Sequence, residues 1–274
     1  MQAYIYSIIL GIVQGIAEFL PISSSGHLVI IGALLERYTD MRVPAENATM
    51  NVALHFGSLL SIMVVYWKDL LDLRKNLKLV AMIVLATIPV GLVGVLLKDH
   101  IESLFNEPLY AGCALLVTAF LLVAGRYFQK QSAGHDKKDI ATSEPSSDVS
   151  PRTALFVGLF QAFAIIPGIS RSGSTIAGGL LNGLSRPDAA RFSFLIALPA
   201  IGGATVLQMK DLLTGEESVD PQVLPILAGT IVSFIVGVFC LKWLIRLVVA
   251  DRLHWFSIYC VAAGAATIAW QLLS

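Results

Sequence analysis

The sequence predicts an all-α polytopic membrane protein, an inverted-topology repeat in which each half is a re-entrant helical hairpin plus three transmembrane helices. Three observations predict it. Of 274 residues, 56% are hydrophobic and 14% charged, against roughly 45–50% and about 25% in soluble domains, and the mean hydropathy is +0.75. Charge-free stretches long enough to cross a bilayer recur along the chain. Two further apolar regions are broken by polar turns and resemble each other. This composition excludes a soluble globular domain, a disordered chain and a coiled coil. Nineteen basic and 19 acidic residues give zero net charge, so no overall basicity points to nucleic acid.

A spanning helix needs about 20 mostly apolar residues. Six segments meet this, near 47–67, 79–97, 108–126, 191–209, 221–243 and 253–273. Region 1–35 is cut by Glu18 and by Pro21-Ile22-Ser23-Ser24-Ser25-Gly26-His27, and region 153–185 by Pro167-Gly168-Ile169-Ser170-Arg171-Ser172-Gly173-Ser174-Thr175. Such clusters end helices and form turns. At membrane depth, irregular backbone survives only when buried in protein or lining a wet cavity. The halves of each region are short for full spans, so each is read as a hairpin with a polar tip. The run 129–151 is the one hydrophilic stretch and reads as a linker between a first repeat, 1–128, and a second, 152–274. The N-terminus lacks a Lys/Arg cluster and its apolar run enters the polar turn directly, so it is not expected to be a cleaved signal. Cys113, Cys240 and Cys260 lie in apolar stretches without metal-ligand spacing; their odd number argues against a disulfide framework.

The repeat has an offset of 147. Gly11, Gln14, Ala17, Ile22, Ser23, Ser25 and Gly26 match Gly158, Gln161, Ala164, Ile169, Ser170, Ser172 and Gly173, which is 7 identities in the 16 positions 11–26. A second echo follows: Lys68-Asp69-Leu70-Leu71 recurs as Lys210-Asp211-Leu212-Leu213. A hairpin returns the chain to its own side and three spans carry it across, so the second copy enters from the opposite side. Charge agrees. On this topology one face receives Arg37, Arg42, Lys98 and Lys210, and the other receives 14 of the remaining basic residues, Arg171 being set aside within the second turn. The basic face is then cytoplasmic, both termini lie outside, and the first hairpin opens outward and the second inward. Gly178-Gly179, Gly202-Gly203 and Gly264 offer close-packing surfaces within or between subunits, a homodimer included.

Ionisable groups at membrane depth are expensive and mark function by default. Glu18 and Arg171 are therefore the leading candidates, although a structural ion pair is the simplest alternative. Around them stand Gln14, Ser23, Ser24, Ser25, His27, Ser170, Ser172, Gly173, Ser174 and Thr175. The guanidinium fork suits phosphate oxygens. Hydroxyls and a helix start after a Ser-Gly turn add donors. Glu18 offers a base or a metal ligand, with Gln14 on the same helix face. His27 offers a proton shuttle, and Ser24 a nucleophile if a base is near. One of the three serines at 23–25 must cap the following helix. His55 either faces the cavity or packs in the core, and packing is favoured.

Gln14-x-x-x-Glu18-Phe19-Leu20-Pro21-Ile22-Ser23-Ser24-Ser25-Gly26-His27 resembles the first motif, and Pro167-Gly168-Ile169-Ser170-Arg171-Ser172-Gly173-Ser174-Thr175 the second, of the bacterial undecaprenyl-diphosphate phosphatases, the bacitracin-resistance proteins. Ala189-Ala190-Arg191-Phe192-Ser193-Phe194-Leu195 resembles a third family segment. Gln14 takes the Gln option where many members have Glu, leaving one carboxylate in the motif. The resemblance implies a hydrolase of the bacterial inner membrane that removes the terminal phosphate of undecaprenyl diphosphate and recycles the lipid carrier for peptidoglycan and other envelope glycans. It also implies a divalent cation, Mg2+ or Ca2+, with Glu18 as its candidate ligand, and an active site opening to the periplasmic side. The expected roles are catalysis for Glu18, Ser24, His27 and Arg171, and phosphate binding for Gln14, Ser23, Ser25, Ser170, Ser172, Gly173, Ser174 and Thr175. The expected partners are the lipid diphosphate and membrane lipids. The competing class is a lipid-phosphate flippase or secondary transporter using the same pocket.

Overall fold

A computed structural model describes residues 2–38, 48–97, 107–132, 149–214 and 223–273. Every element among them is helical. They are α1 (Gln2–Ala17), α2 (Ser24–Tyr38), α3 (Ala48–Val65), α4 (Trp67–Asp72) with a 3-10 turn at Leu73–Lys75, α5 (Leu77–Leu96), α6 (Pro108–Ser132), α7 (Pro151–Phe163), α8 (Arg171–Leu181), α9 (Arg186–Thr214), α10 (Val223–Val249) and α11 (Trp255–Leu273). Five of these are long and apolar enough to cross a membrane on their own: α5, α6, α9, α10 and α11. A sixth candidate is α3 with α4 and its turn, bent by 74° at the break. The protein is a multi-pass membrane protein. Phe120 and Phe239, each 70% exposed, lie on the outer surface, where lipid is the compatible solvent.

The bend after α3 is absent from the sequence reading, which ends a plain span near 67. Helices α6, α9 and α10 also run beyond the expected windows, to Ser132, Thr214 and Val249. Most of the linker assigned to 129–151, at 133–148, lies outside the described residues.

Local chemistry sets the helix starts. The Asn76 side chain accepts from Leu79 N and caps α5. Ser150 accepts from Thr153 N at the start of α7, with Pro151 at the first helical position, where its missing N–H is not needed. Ser185 Oγ accepts from Asp188 N at 3.2 Å and donates to Asp188 Oδ2 at 2.6 Å, opening α9. Helices α1 and α7 stop where the polar turns begin.

Without a hydrophobic drive between helices in lipid, close approach depends on small residues. Helix α1 lies along α10, and α7 along α5. A Cβ on Gly11 would sit 2.5 Å from Gly229 O, and one on Gly158 would sit 2.5 Å from Ala86 O. These glycines occupy equivalent repeat positions, and each lets a hairpin arm press against a span of the other half. The contacts advance in one direction: Gly15 faces Ser233 and Val236, and Gly94 meets Ile165. Each arm therefore runs parallel to its partner span. Helices α6 and α11 also pack together, at Gly112 and Gly264. The largest buried cluster encloses the turns, with Phe19 and Leu20 of the first among Leu115, Ile176, Phe194, Leu241 and Cys260.

The glycine pairs singled out from sequence divide. Gly178 packs on Phe160, Gly179 on Ala189, and Gly264 on Gly112. Nothing stands within 4 Å of a Cβ at Gly203.

Candidate active site

The two polar turns touch. A Cβ on Gly26 would lie 2.8 Å from Gly168 Cα, and one on Gly173 would lie 3.1 Å from Pro21 Cβ. They share one capping pattern. Gly26 N donates to Ser23 Oγ at 3.3 Å, and Gly173 N to Ser170 Oγ at 3.1 Å. Ser23 and Ser25 hydroxyls lie 3.3 Å apart, and those of Ser170 and Ser172 3.2 Å apart. The backbone reversals differ. The first turn places Ser23 in the left-handed region at φ 68, whereas the second uses Gly168 at φ 95. Thr118 of α6 pins the second turn, donating to Gly168 O at 3.0 Å and accepting from Ser170 N at 2.9 Å.

Glu18, just past the end of α1 and 8% exposed, is the centre of the cluster. Its Oε1 accepts from Arg171 Nη2 at 2.7 Å. Its Oε2 accepts from Ser24 Oγ at 2.7 Å and from Gln14 Nε2 at 3.1 Å. Gln14 Nε2 also reaches Ser58 Oγ at 3.4 Å, and Ser58 continues to Ser233 Oγ at 3.2 Å. The Arg171 guanidinium stands 5.8 Å over the Phe194 ring, and its Nη1 is buried with no hydrogen-bond partner. A cationic donor held in this way is arranged for an incoming anion.

The other expected residues divide by task. Ser23 and Ser170 are helix caps. Ser172 Oγ lies 3.5 Å from Leu20 O and joins the two turns. Thr175 Oγ1 donates to Arg171 O at 2.8 Å and is also bonded to Ser193 Oγ, so it secures the helix start. Ser174 Oγ is buried and unpartnered. Both ring nitrogens of His27 have partners: Nδ1 lies 2.8 Å from Ser23 O, Nε2 lies 2.6 Å from Tyr259 OH, and the ring stacks on Tyr259. His55 is the main departure from expectation. It does not pack among apolar side chains, because its Nε2 lies 3.9 Å from Glu18 Oε2. Its apolar sequence neighbours hid this, since helix α3 turns them to other faces. Ser193 and Phe194 lie in the third family segment, which gave them no role. Thr118, Ser58, Ser233 and Tyr259 were missed. They come from helices far away in sequence, and no local motif marks them.

The cation implied by the resemblance finds no cage of protein ligands. Among the described residues no three His, Cys, Asp or Glu side chains come together to hold a metal ion, and both Glu18 oxygens already accept hydrogen bonds. Glu18 is thus the expected ligand with no all-protein cage around it among the described residues.

A multi-pass membrane fold whose two interrupted helices bring a carboxylate, a serine hydroxyl and an unsatisfied guanidinium together defines the class: a membrane protein with a buried polar cluster where two turns meet. Comparison with known proteins names the family. Residues 7–266 match bacitracin resistance protein BacA, and the chain belongs to this family. It is 44% identical over 273 residues to the undecaprenyl-diphosphatase of Rhodopirellula baltica, covering 99% of this chain and 100% of that protein. It is 40% identical to the undecaprenyl-diphosphatase of Methanosphaera stadtmanae, with 96% of each covered. To that of Bacteroides thetaiotaomicron it is 37% identical, with 99% of this chain and 100% of that protein covered.

Proposed function

We propose that this protein hydrolyses undecaprenyl diphosphate to undecaprenyl phosphate and inorganic phosphate, recycling the lipid carrier for cell-wall synthesis and so conferring bacitracin resistance. The observation that carries this is the Glu18–Arg171–Ser24 cluster, with a buried guanidinium nitrogen still unsatisfied, in a chain whose relatives bear the name of that enzyme.

Ser24 Oγ attacks the terminal phosphorus as its proton passes to Glu18 along their hydrogen bond. The bond from that phosphorus to the bridging oxygen breaks, and lipid monophosphate leaves. Water then attacks the phosphoserine, inorganic phosphate departs, and Ser24 recovers the proton from Glu18. Arg171 offers Nη1 to the phosphoryl oxygens and stabilises the charge of the transition state. Gln14 orients Glu18, and His27 orients the first turn through the Ser23 carbonyl. A divalent cation, Mg2+ or Ca2+, would be held mainly by the diphosphate oxygens themselves and would supply them with positive charge.

The second repeat is inverted relative to the first. The turns meet end to end, and each first arm runs parallel to a span of the other half, as two copies entering from opposite faces require. Asp251 joins Arg126 at 3.3 Å and Arg186 at 3.2 Å, which gathers three helix ends on the face read as basic. That face is cytoplasmic in the inner membrane, with the termini and the site opening on the periplasmic side.

The test is phosphate release from lipid diphosphate by purified protein in detergent, where there is no membrane to cross. Release is expected. Binding without release would instead favour the flippase reading, which the hydrolase names of the relatives do not support.

A further inference from the structure

His27 and His55 both lie near the site, and their hydrogen bonds separate them. Both ring nitrogens of His27 are engaged. His55 Nδ1 lies 2.9 Å from the Asn51 carbonyl oxygen. A carbonyl only accepts, so Nδ1 carries the hydrogen. Nε2 makes no hydrogen bond; it faces Glu18 Oε2 across 3.9 Å, too far for one. The His55 side chain is 31% exposed, against 7% for Glu18 and 15% for Arg171.

The charged groups that reach His55 are Glu18 and, behind it, Arg171. Of the other helices packed on α3, α10 brings the Ser233 hydroxyl, and α9 brings Leu198 and Ile201 to the apolar cluster around Leu59 and Ile62.

We propose that His55 is a direct ligand of the substrate's diphosphate head group, meeting it with Nε2 beside Glu18 Oε2. This rests on the hydrolase reading above. With Nδ1 held by the Asn51 carbonyl, Nε2 is the ring atom left to meet the head group.

The test compares His55→Leu with His55→Gln in detergent, with thermal unfolding as the check on folding. His55→Leu is expected to raise KM for the lipid diphosphate about tenfold, with kcat changed less than about twofold. It should weaken competitive inhibition by inorganic diphosphate by a similar factor. His55→Gln, which keeps a hydrogen-bonding group at the end of the side chain, should restore most of both. Wild-type KM and inhibition in a folded His55→Leu protein would overturn the proposal, as would a fall in kcat with KM unchanged. If wild-type protein releases no phosphate while His55→Leu still weakens inorganic diphosphate binding, the contact stands and the hydrolase reading fails.

Discussion

Ser24 and Arg171 hold the two oxygens of one carboxylate, Ser24 Oγ at 2.7 Å from Glu18 Oε2 and Arg171 Nη2 at 2.7 Å from Oε1. They occupy equivalent positions 147 apart, each the first helical residue after a capping serine. The two helix starts therefore point at a common centre, one presenting a hydroxyl and the other a guanidinium.

Arg171→Lys should lower the rate of phosphate release by about 100-fold or more, because a point charge cannot serve both Glu18 and a phosphoryl oxygen as the fork does. A wild-type rate in the purified variant would remove Arg171 from the mechanism.

Ser24→Ala should lower kcat by at least about 100-fold. The covalent route also fixes the stereochemistry: two in-line displacements give net retention at a chiral terminal phosphorus. Inversion would mean that water attacks the diphosphate directly.

Gly168→Ala should disrupt the junction of the two turns. Its φ of 95 is in the left-handed region, and a Cβ there would lie 2.5 Å from Ala111 O. A loss of roughly 1–3 kcal/mol in thermal stability is expected, with activity falling alongside. Gly203→Ala, in open space within α9, is the control and should gain up to about 1 kcal/mol. Equal behaviour of the two variants would contradict the close approach.

Tyr259→Phe removes the partner of His27 Nε2. Stability should fall by about 0.5–1.5 kcal/mol, with kcat changed less than about threefold, because His27 holds the turn in place. A 100-fold drop in kcat at unchanged stability would instead put His27 in the chemistry.

Manganese, as a spin-active stand-in for magnesium, should show no tight site on the free protein and should bind once inorganic diphosphate is added. Stoichiometric binding to the free protein, lost in Glu18→Gln, would restore the carboxylate as a metal ligand.

The membrane class, the two interrupted helices and the central pair were legible in the chain. Hydropathy reports burial in lipid directly, and a charge such as Glu18 or Arg171 inside an apolar run has few bland explanations. The capping serines were legible as a set, since a helix start needs a cap, but which serine did so depended on backbone reversal at Ser23 and Gly168. His55 was misread because its sequence neighbours are apolar, and a helix hides which residues share a face with a distant carboxylate. Ser58, Ser233, Thr118 and Tyr259 belong to the site's support only because α3, α6, α10 and α11 pack around the two turns. Periodicity and motif describe what each segment carries. Which side chains meet depends on helix crossings set by small residues such as Gly11 and Gly158, and those contacts form between segments too far apart in the chain for any local pattern to record.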